Sequence, residues 1–282
     1  MDLKSFISLL IIIAAFGSAL WNVHVKKSTN RLIFVTLMVI PQLIVTLPIT
    51  LLTPLPSWQT CHYIFYSCLI QTGYIIFICT AYKHGLLNRI YPLAIGTAPL
   101  LSMIFWHQYF GISSSERDYY GILLLSLGVI SFTFVGKWDK DILSLRGILY
   151  AFGTSVFIFT YSIIDTFGIH TVKNPLTYIS WIFVVKAIIL LIPMLYLHKI
   201  PMRTMARESS NYIVAGLLAG FGYAVAMFAF TLETTSVVLA LRSTSIIFAF
   251  ILSIIYLNEK ASIKIFIFTL SIMAGVFLLL MN

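Results

Sequence analysis

Few residues in this sequence can do chemistry, and those few sit inside apolar stretches. Arg242 is followed directly by Ser243, Thr244 and Ser245, so a cation and a run of hydroxyls share about one helical turn. Lys186 lies in the middle of the run from Pro175 to Leu197, and Asp165 is the one carboxylate well inside such a run, with Tyr161 four residues before it on the same helical face. An ionisable side chain in hydrocarbon costs roughly 2.5 kcal/mol or more, so each is a functional candidate. Arg242 with Ser243 and Ser245 suits an anionic or zwitterionic group. Asp165 and Arg242 fall at compatible depths, so they either pair to fix helix packing or serve a substrate or a gate. Lys186 is open to pairing or to anion binding, and Tyr91 and Tyr161 are candidates to wall a cavity or to hold a cation on a ring face.

The elements that position these residues follow from composition. The chain has 282 residues, 60% hydrophobic and only 10% charged, with a mean hydropathy of +0.99. That is too apolar for a soluble core to absorb. A helix needs roughly 20 apolar residues to cross a bilayer, and ten stretches qualify: about 5–23, 32–53, 60–82, 87–110, 118–136, 147–168, 176–197, 210–232, 235–257 and 262–281. Runs such as Ile122 to Ile130 do not alternate in polarity, which excludes β-barrel strands. The expectation is an all-α, polytopic membrane protein with ten transmembrane helices. Pro92, Gly96 and Pro99 interrupt the fourth stretch, as expected of a kinked helix lining a cavity, and Gly216 with Gly220 forms a GxxxG pair suited to close helix approach.

The ten stretches are one block of five, written twice. Phe16-Gly17-Ser18 has a counterpart in Phe152-Gly153-Thr154, and Ala81 to Leu101 aligns with Ala229 to Ala249, which sets Arg242 opposite Ala94. An odd number of spans per copy makes the second copy enter the membrane from the other side, giving two inverted five-helix repeats as in secondary transporters. The boundaries read as a first repeat over 1–136, a linker over 137–146 and a second repeat over 147–282, with His198 to Asn211 as a further polar loop.

The net charge of +9 is placed, not spread. Lys26, Lys27, Arg31, Lys83, Arg89, Lys137, Lys140, Arg146, Lys199, Arg203, Arg207, Lys260 and Lys264 fall on one side of the ten-span layout, and only Lys4, Arg117 and Lys173 on the other. The positive-inside rule makes the rich side cytoplasmic and leaves both termini outside, in a cell (inner) membrane whose anionic lipids meet the basic loops. This placement speaks against a nucleic-acid partner. The first stretch could be misread as a signal peptide, but it is the repeat partner of Phe152 to Phe167 and belongs to the fold. Cys61, Cys68 and Cys79 have neither metal-ligand nor disulfide spacing, no Walker-type or HExxH motif is present, and no cofactor or metal is expected. Asn22 is placed to hydrogen-bond a neighbouring helix, Gln71 suits either packing or substrate contact, and His107 and Glu233 fall near span ends.

This doubled pattern resembles the drug/metabolite transporter superfamily, EamA type, over essentially the whole chain. Ala81-Tyr82-Lys83-His84-Gly85 followed by Tyr91 to Leu101, Trp21 to Lys26, Tyr161 to Gly168 and Leu257-Asn258-Glu259 are similar to a subgroup associated with phosphonate-utilisation genes. Members of that subgroup often carry an arginine where Ile95 stands and a glutamate after the glycine, where this chain has Gly111-Ile112. The resemblance implies a central cavity between the repeats, open to one side at a time. The resulting expectation is a non-enzymatic, secondary-active or facilitative transporter of a small polar metabolite, amino-acid-like, amine or organophosphonate-like, with proton coupling open through Asp165. The substrate residues would be Arg242, Ser243, Ser245, Tyr161, Asp165, Tyr91 and Lys186. A non-transporting membrane scaffold and an intramembrane enzyme are the alternatives; the latter lacks a paired acid, base or metal group at one depth.

Overall fold

The computed structural model describes residues 3–112, 115–134, 144–197, 209–259 and 263–280, and among these there are helices and no strands. The helices in chain order are α1 (Leu3–Lys27), α2 (Arg31–Leu37), α3 (Val39–Leu52), α4 (Trp58–Ala81), α5 (Leu87–Gly96), α6 (Ala98–Phe110), α7 (Glu116–Phe134), α8 (Leu145–Ile169), α9 (Pro175–Leu197), α10 (Ser209–Ala229), α11 (Thr235–Arg242), α12 (Ser245–Leu257) and α13 (Ile263–Leu280). Three of the ten expected stretches are broken in two, giving the pairs α2/α3, α5/α6 and α11/α12. Starts are marked by capping side chains: the Ile33, Thr60 and Gly147 amides donate to Asn30, Ser57 and Ser144. Helix α8 thus begins two residues before the expected boundary, and Ser209 to Asn211, expected as loop, lie in α10. The rest of the linker and of that loop, residues 135–143 and 198–208, lies outside the described residues, as does Lys260.

Each break has a local cause. Pro41 follows Met38 by three residues and Pro99 follows Thr97 by two, and a proline has no N–H to give the carbonyl four residues back. The third break, at Ser243 and Thr244, has no proline. There the Ser243 hydroxyl donates to the Leu239 carbonyl (3.0 Å) and the Thr244 hydroxyl to that of Leu241 (2.6 Å), so side chains compete for the helix's own acceptors.

The two halves pack as an inverted repeat. Helix α4 runs along α8, and α1 along α10, its counterpart pair; α3 meets α9, α5 and α12 meet α8 and α1 respectively, and α7 pairs with α13. Gly73 lies under the Phe157 ring and Gly153 under the Phe77 ring, while Gly121 and Gly275 approach backbone to backbone. Gly216 fits against the carbonyl of Met38 and Gly220 against the Gln42 side chain, the close approach expected of the GxxxG pair. Among the described residues eight segments are long and apolar enough to cross a membrane. Leu52, Tyr196 and many other large apolar side chains are exposed, the surface of a multi-pass membrane protein. Among the aromatic side chains, Tyr82, Tyr91, Tyr178 and Phe183 are fully buried and Tyr161 and Tyr223 nearly so.

The ends of α6 and α12 show the repeat at atomic detail. Gly111 (φ 63°) and Asn258 (φ 53°) both take the left-handed conformation that closes a helix, and the next amides, of Ile112 and Glu259, return to carbonyls six residues back, Trp106 and Ser253, each at 3.2 Å. Upstream, the ends of α4 and α10 (Ala81 and Ala229) and the starts of α5 and α11 (Leu87 and Thr235) keep the alignment that sets Arg242 opposite Ala94; the second copy is one residue shorter at the break, so beyond it Gly111 matches Asn258.

Candidate functional site

A cavity of about 100 Å³ lies at the centre, where the halves meet. Its walls come from α1 (Ser18, Asn22), α3 (Gln42), α4 (Gln71, Tyr74), α5 (Tyr91), α8 (Tyr161), α9 (Lys186), α10 (Tyr223), α11 (Arg242) and α12 (Ser245). One water position needs roughly 10–15 Å³ by this measure, so the space suits a small metabolite or a handful of waters.

The breaks put the polar groups there. Arg242 is the last residue of α11, where the partial negative charge of a helix C-terminus favours a cation. Its guanidinium lies against the Tyr161 hydroxyl, with Tyr74 and Tyr91 close enough to act on it electrostatically, yet its Nη1 is buried without a hydrogen-bond partner. Tyr91 donates to the Ser245 hydroxyl (2.9 Å), joining α5 to α12 across the pseudo-symmetry. The Lys186 ammonium lies 4.6 Å from the Phe183 ring centre and 5.0 Å from that of Tyr223. Gln42 donates to the Gly216 carbonyl (3.0 Å) and leaves its Oε1 buried and unpartnered.

Asp165 and Ser243, both expected in the site, do not line the cavity. Asp165 is fully buried behind it, where Tyr178 donates to Oδ1 (3.0 Å), Tyr223 to Oδ2 (2.6 Å), and Ser67 also hydrogen-bonds the carboxyl. Gln71 continues this chain towards the cavity, donating to the Tyr223 hydroxyl (2.7 Å) and to Ser67 (3.0 Å). Of the two alternatives left for Asp165 and Arg242, the pair is not made: Asp165 stands one turn, about 6 Å, further along α8 than Tyr161, at the level where Tyr178 of α9 and Tyr223 of α10 take its oxygens. Lys186 is instead the cation that acts on Asp165. Ser243 is consumed by its bond to Leu239. Asn22 accepts from the Tyr82 hydroxyl (2.6 Å), the neighbouring-helix bond expected of it, and also faces the cavity. Cys68 and Cys79 are buried and Cys61 half-buried, all three unpaired, and no group of three or more His, Cys, Asp or Glu capable of holding a metal occurs among the described residues.

Gln42, Tyr74 and Tyr223 were not legible as site residues. Nothing in their local sequence separates them from the other polar and aromatic residues of these helices; only the crossing of α3, α4 and α10 brings them together.

The end of the bundle where α1 stops and α5 begins carries Lys26, Lys27, Arg31, Lys83, Arg89 and Arg146, and it is closed by charged caps. The Lys26 ammonium donates to the carbonyls of Tyr82 (2.7 Å) and Gly85 (2.6 Å) beyond α4. Helix α5 has no capping side chain of its own, and Glu259, buried after α12, accepts from the amides of Leu87 (2.7 Å) and Asn88 (2.9 Å). At the opposite end pairs of hydroxyls meet: Thr60 with Thr171 (2.8 Å), Thr166 with Thr235 (2.7 Å) and Ser236 with Ser102 (3.1 Å).

The second repeat, with its broken α11/α12 and the Glu259 cap, also carries a family's sequence pattern. Residues 145–281 match the EamA-like transporter family. That match, over the second half, agrees with the resemblance to the drug/metabolite transporter superfamily; no comparison singles out the phosphonate-associated subgroup. One protein of known crystal structure superposes with a TM-score of 0.69 over 98% of this chain and 98% of its own, at 15% identity, a likeness of fold alone. No curated protein sequence matches.

Proposed function

We propose that this chain carries a small polar metabolite bearing an acidic group across a cell membrane by alternating access, with its basic end in the cytoplasm and both termini on the other side. The observation that carries the reading is the buried, unpartnered Nη1 of Arg242 in a cavity built by both repeats and by all three broken helices. A buried polar group without a partner is rare and costly, and a departing and returning ligand supplies that partner. Arg242, Ser245, Tyr91 and Tyr161 hold the acidic group, Gln42 and Lys186 line the remainder, and Asp165 positions Tyr223 and Lys186 from behind. The family match to transporters points the same way, and the charge distribution orients the chain by the positive-inside rule.

A single reporter separates this reading from a membrane scaffold. Ser18→Cys, in a background with Cys61, Cys68 and Cys79 replaced, places a thiol on the cavity wall of reconstituted vesicles. A carrier exposes that thiol to a membrane-impermeant maleimide from either side in turn. Labelling from neither side overturns transport and leaves the scaffold.

A further inference from the structure

We propose that the central cavity takes a compact dianion, with one acidic group at Arg242 and a second at Lys186, an assignment that rests on the transport reading and narrows its substrate.

The walls of the cavity carry two cations and no carboxylate among the described residues. The two cations stand in different surroundings and cannot be satisfied by one acidic group at one point. Arg242 belongs to the break between α11 and α12 and lies among Tyr74, Tyr91 and Tyr161. Lys186 is on α9, nine-tenths buried, over the faces of Phe183 and Tyr223. Ring faces attract an ammonium but accept no conventional hydrogen bond, so these two contacts leave the hydrogens of Nζ for a ligand. The carboxylate nearest in its influence, Asp165, is sealed off: Tyr178, Tyr223 and Ser67 occupy its oxygens and its side chain has no exposed surface. It steadies the charge of Lys186 from behind without offering an acceptor to a bound molecule.

The same walls disfavour an amine or a zwitterion. A substrate ammonium is repelled by two like charges and meets only neutral acceptors on the described walls, of which Asn22 Oδ1 already accepts from Tyr82 and the Ser245 hydroxyl from Tyr91. The volume of about 100 Å³ limits the dianion to a short spacer between its acidic groups. Dicarboxylates and phosphonocarboxylates share this chemistry.

Binding to purified, reconstituted protein tests the assignment with four named probes and a single-charge control: succinate and phosphonoacetate as dianions, alanine as a zwitterion, ethanolamine as a cation, and propionate as a monoanion. The dianions bind at least tenfold more tightly than alanine or ethanolamine. Lys186→Met weakens the dianions at least tenfold and leaves propionate within twofold, Lys186→Arg keeps the dianion preference, and Arg242→Ala removes dianions and propionate alike. Alanine or ethanolamine binding as tightly as the dianions, dianion affinity indifferent to Lys186→Met, or no binding of either dianion overturns it. The accessibility of Ser18→Cys from the two sides is read without any ligand, so a carrier of a different substrate class and a protein that carries nothing give different results.

Discussion

Replacing Glu259 by alanine is expected to unlatch the basic end. In the structure its carboxylate accepts two amide hydrogens of α5, at 2.7 and 2.9 Å, from residues that are themselves buried, Leu87 fully and Asn88 at 2% exposure. Removing it leaves two buried N–H groups without a partner, at about 1–3 kcal/mol each, and withdraws a negative charge from a helix N-terminus, a further 0.3–1 kcal/mol or so. When the basic end opens, water reaches these amides, so the penalty falls on the closed state. At the low end, about 2 kcal/mol shifts the closed-to-open ratio roughly thirtyfold. The assay is the rate at which an impermeant maleimide labels Ser18→Cys from the basic side of oriented vesicles, expected to rise at least tenfold in Glu259→Ala. Glu259→Gln keeps one acceptor oxygen and falls between. A labelling rate within twofold of the parent refutes the latch.

The remaining predictions test the same architecture. Ile112 stands where the repeat frame matches Glu259, and the N-terminus of α11 has no capping side chain; Ile112→Glu supplies one and slows labelling of Ser18→Cys from the opposite side, whereas unchanged labelling would deny the equivalence of the two ends. Lys26→Met frees the Tyr82 and Gly85 carbonyls and speeds labelling from the basic side by at least tenfold, the low end for even one of its two charge-assisted hydrogen bonds at about 1.5 kcal/mol. Tyr223→Phe removes a donor from Asp165 and an acceptor from Gln71 and lowers the thermal midpoint by an amount matching about 1–3 kcal/mol; no change in unfolding would contradict the buried network. Gly216→Val drives a side chain into the Met38 carbonyl and destabilises the fold by 1–3 kcal/mol or so, seen as loss of detergent-stable monodisperse protein, whereas Gly17→Ala, facing only the flexible Leu218 side chain, is tolerated.

The sequence alone determined the class of the molecule. Long apolar runs must become helices in a bilayer because only a helix satisfies its own backbone there, and a block of five written twice must invert. It also singled out Arg242, Lys186, Tyr91, Tyr161 and Ser245, because charge and hydroxyls within apolar runs need a reason. Tertiary structure decided which of them face one another. The difference between Tyr161 on the cavity and Asp165 behind it is one turn along α8 and what α9 and α10 present at each level, and Gln42, Tyr74 and Tyr223 enter the site only because their helices cross there. The frame of the repeat was likewise refined in three dimensions, where the second copy is one residue shorter at its break, so that Gly111 matches Asn258 while Ala94 stays opposite Arg242. Hydropathy is a property of each segment and is written along the chain; rotation, register and the meeting of polar groups arise from packing between segments far apart in sequence, such as Glu259 on the amides of Leu87 and Asn88, and are settled only when all of them pack together.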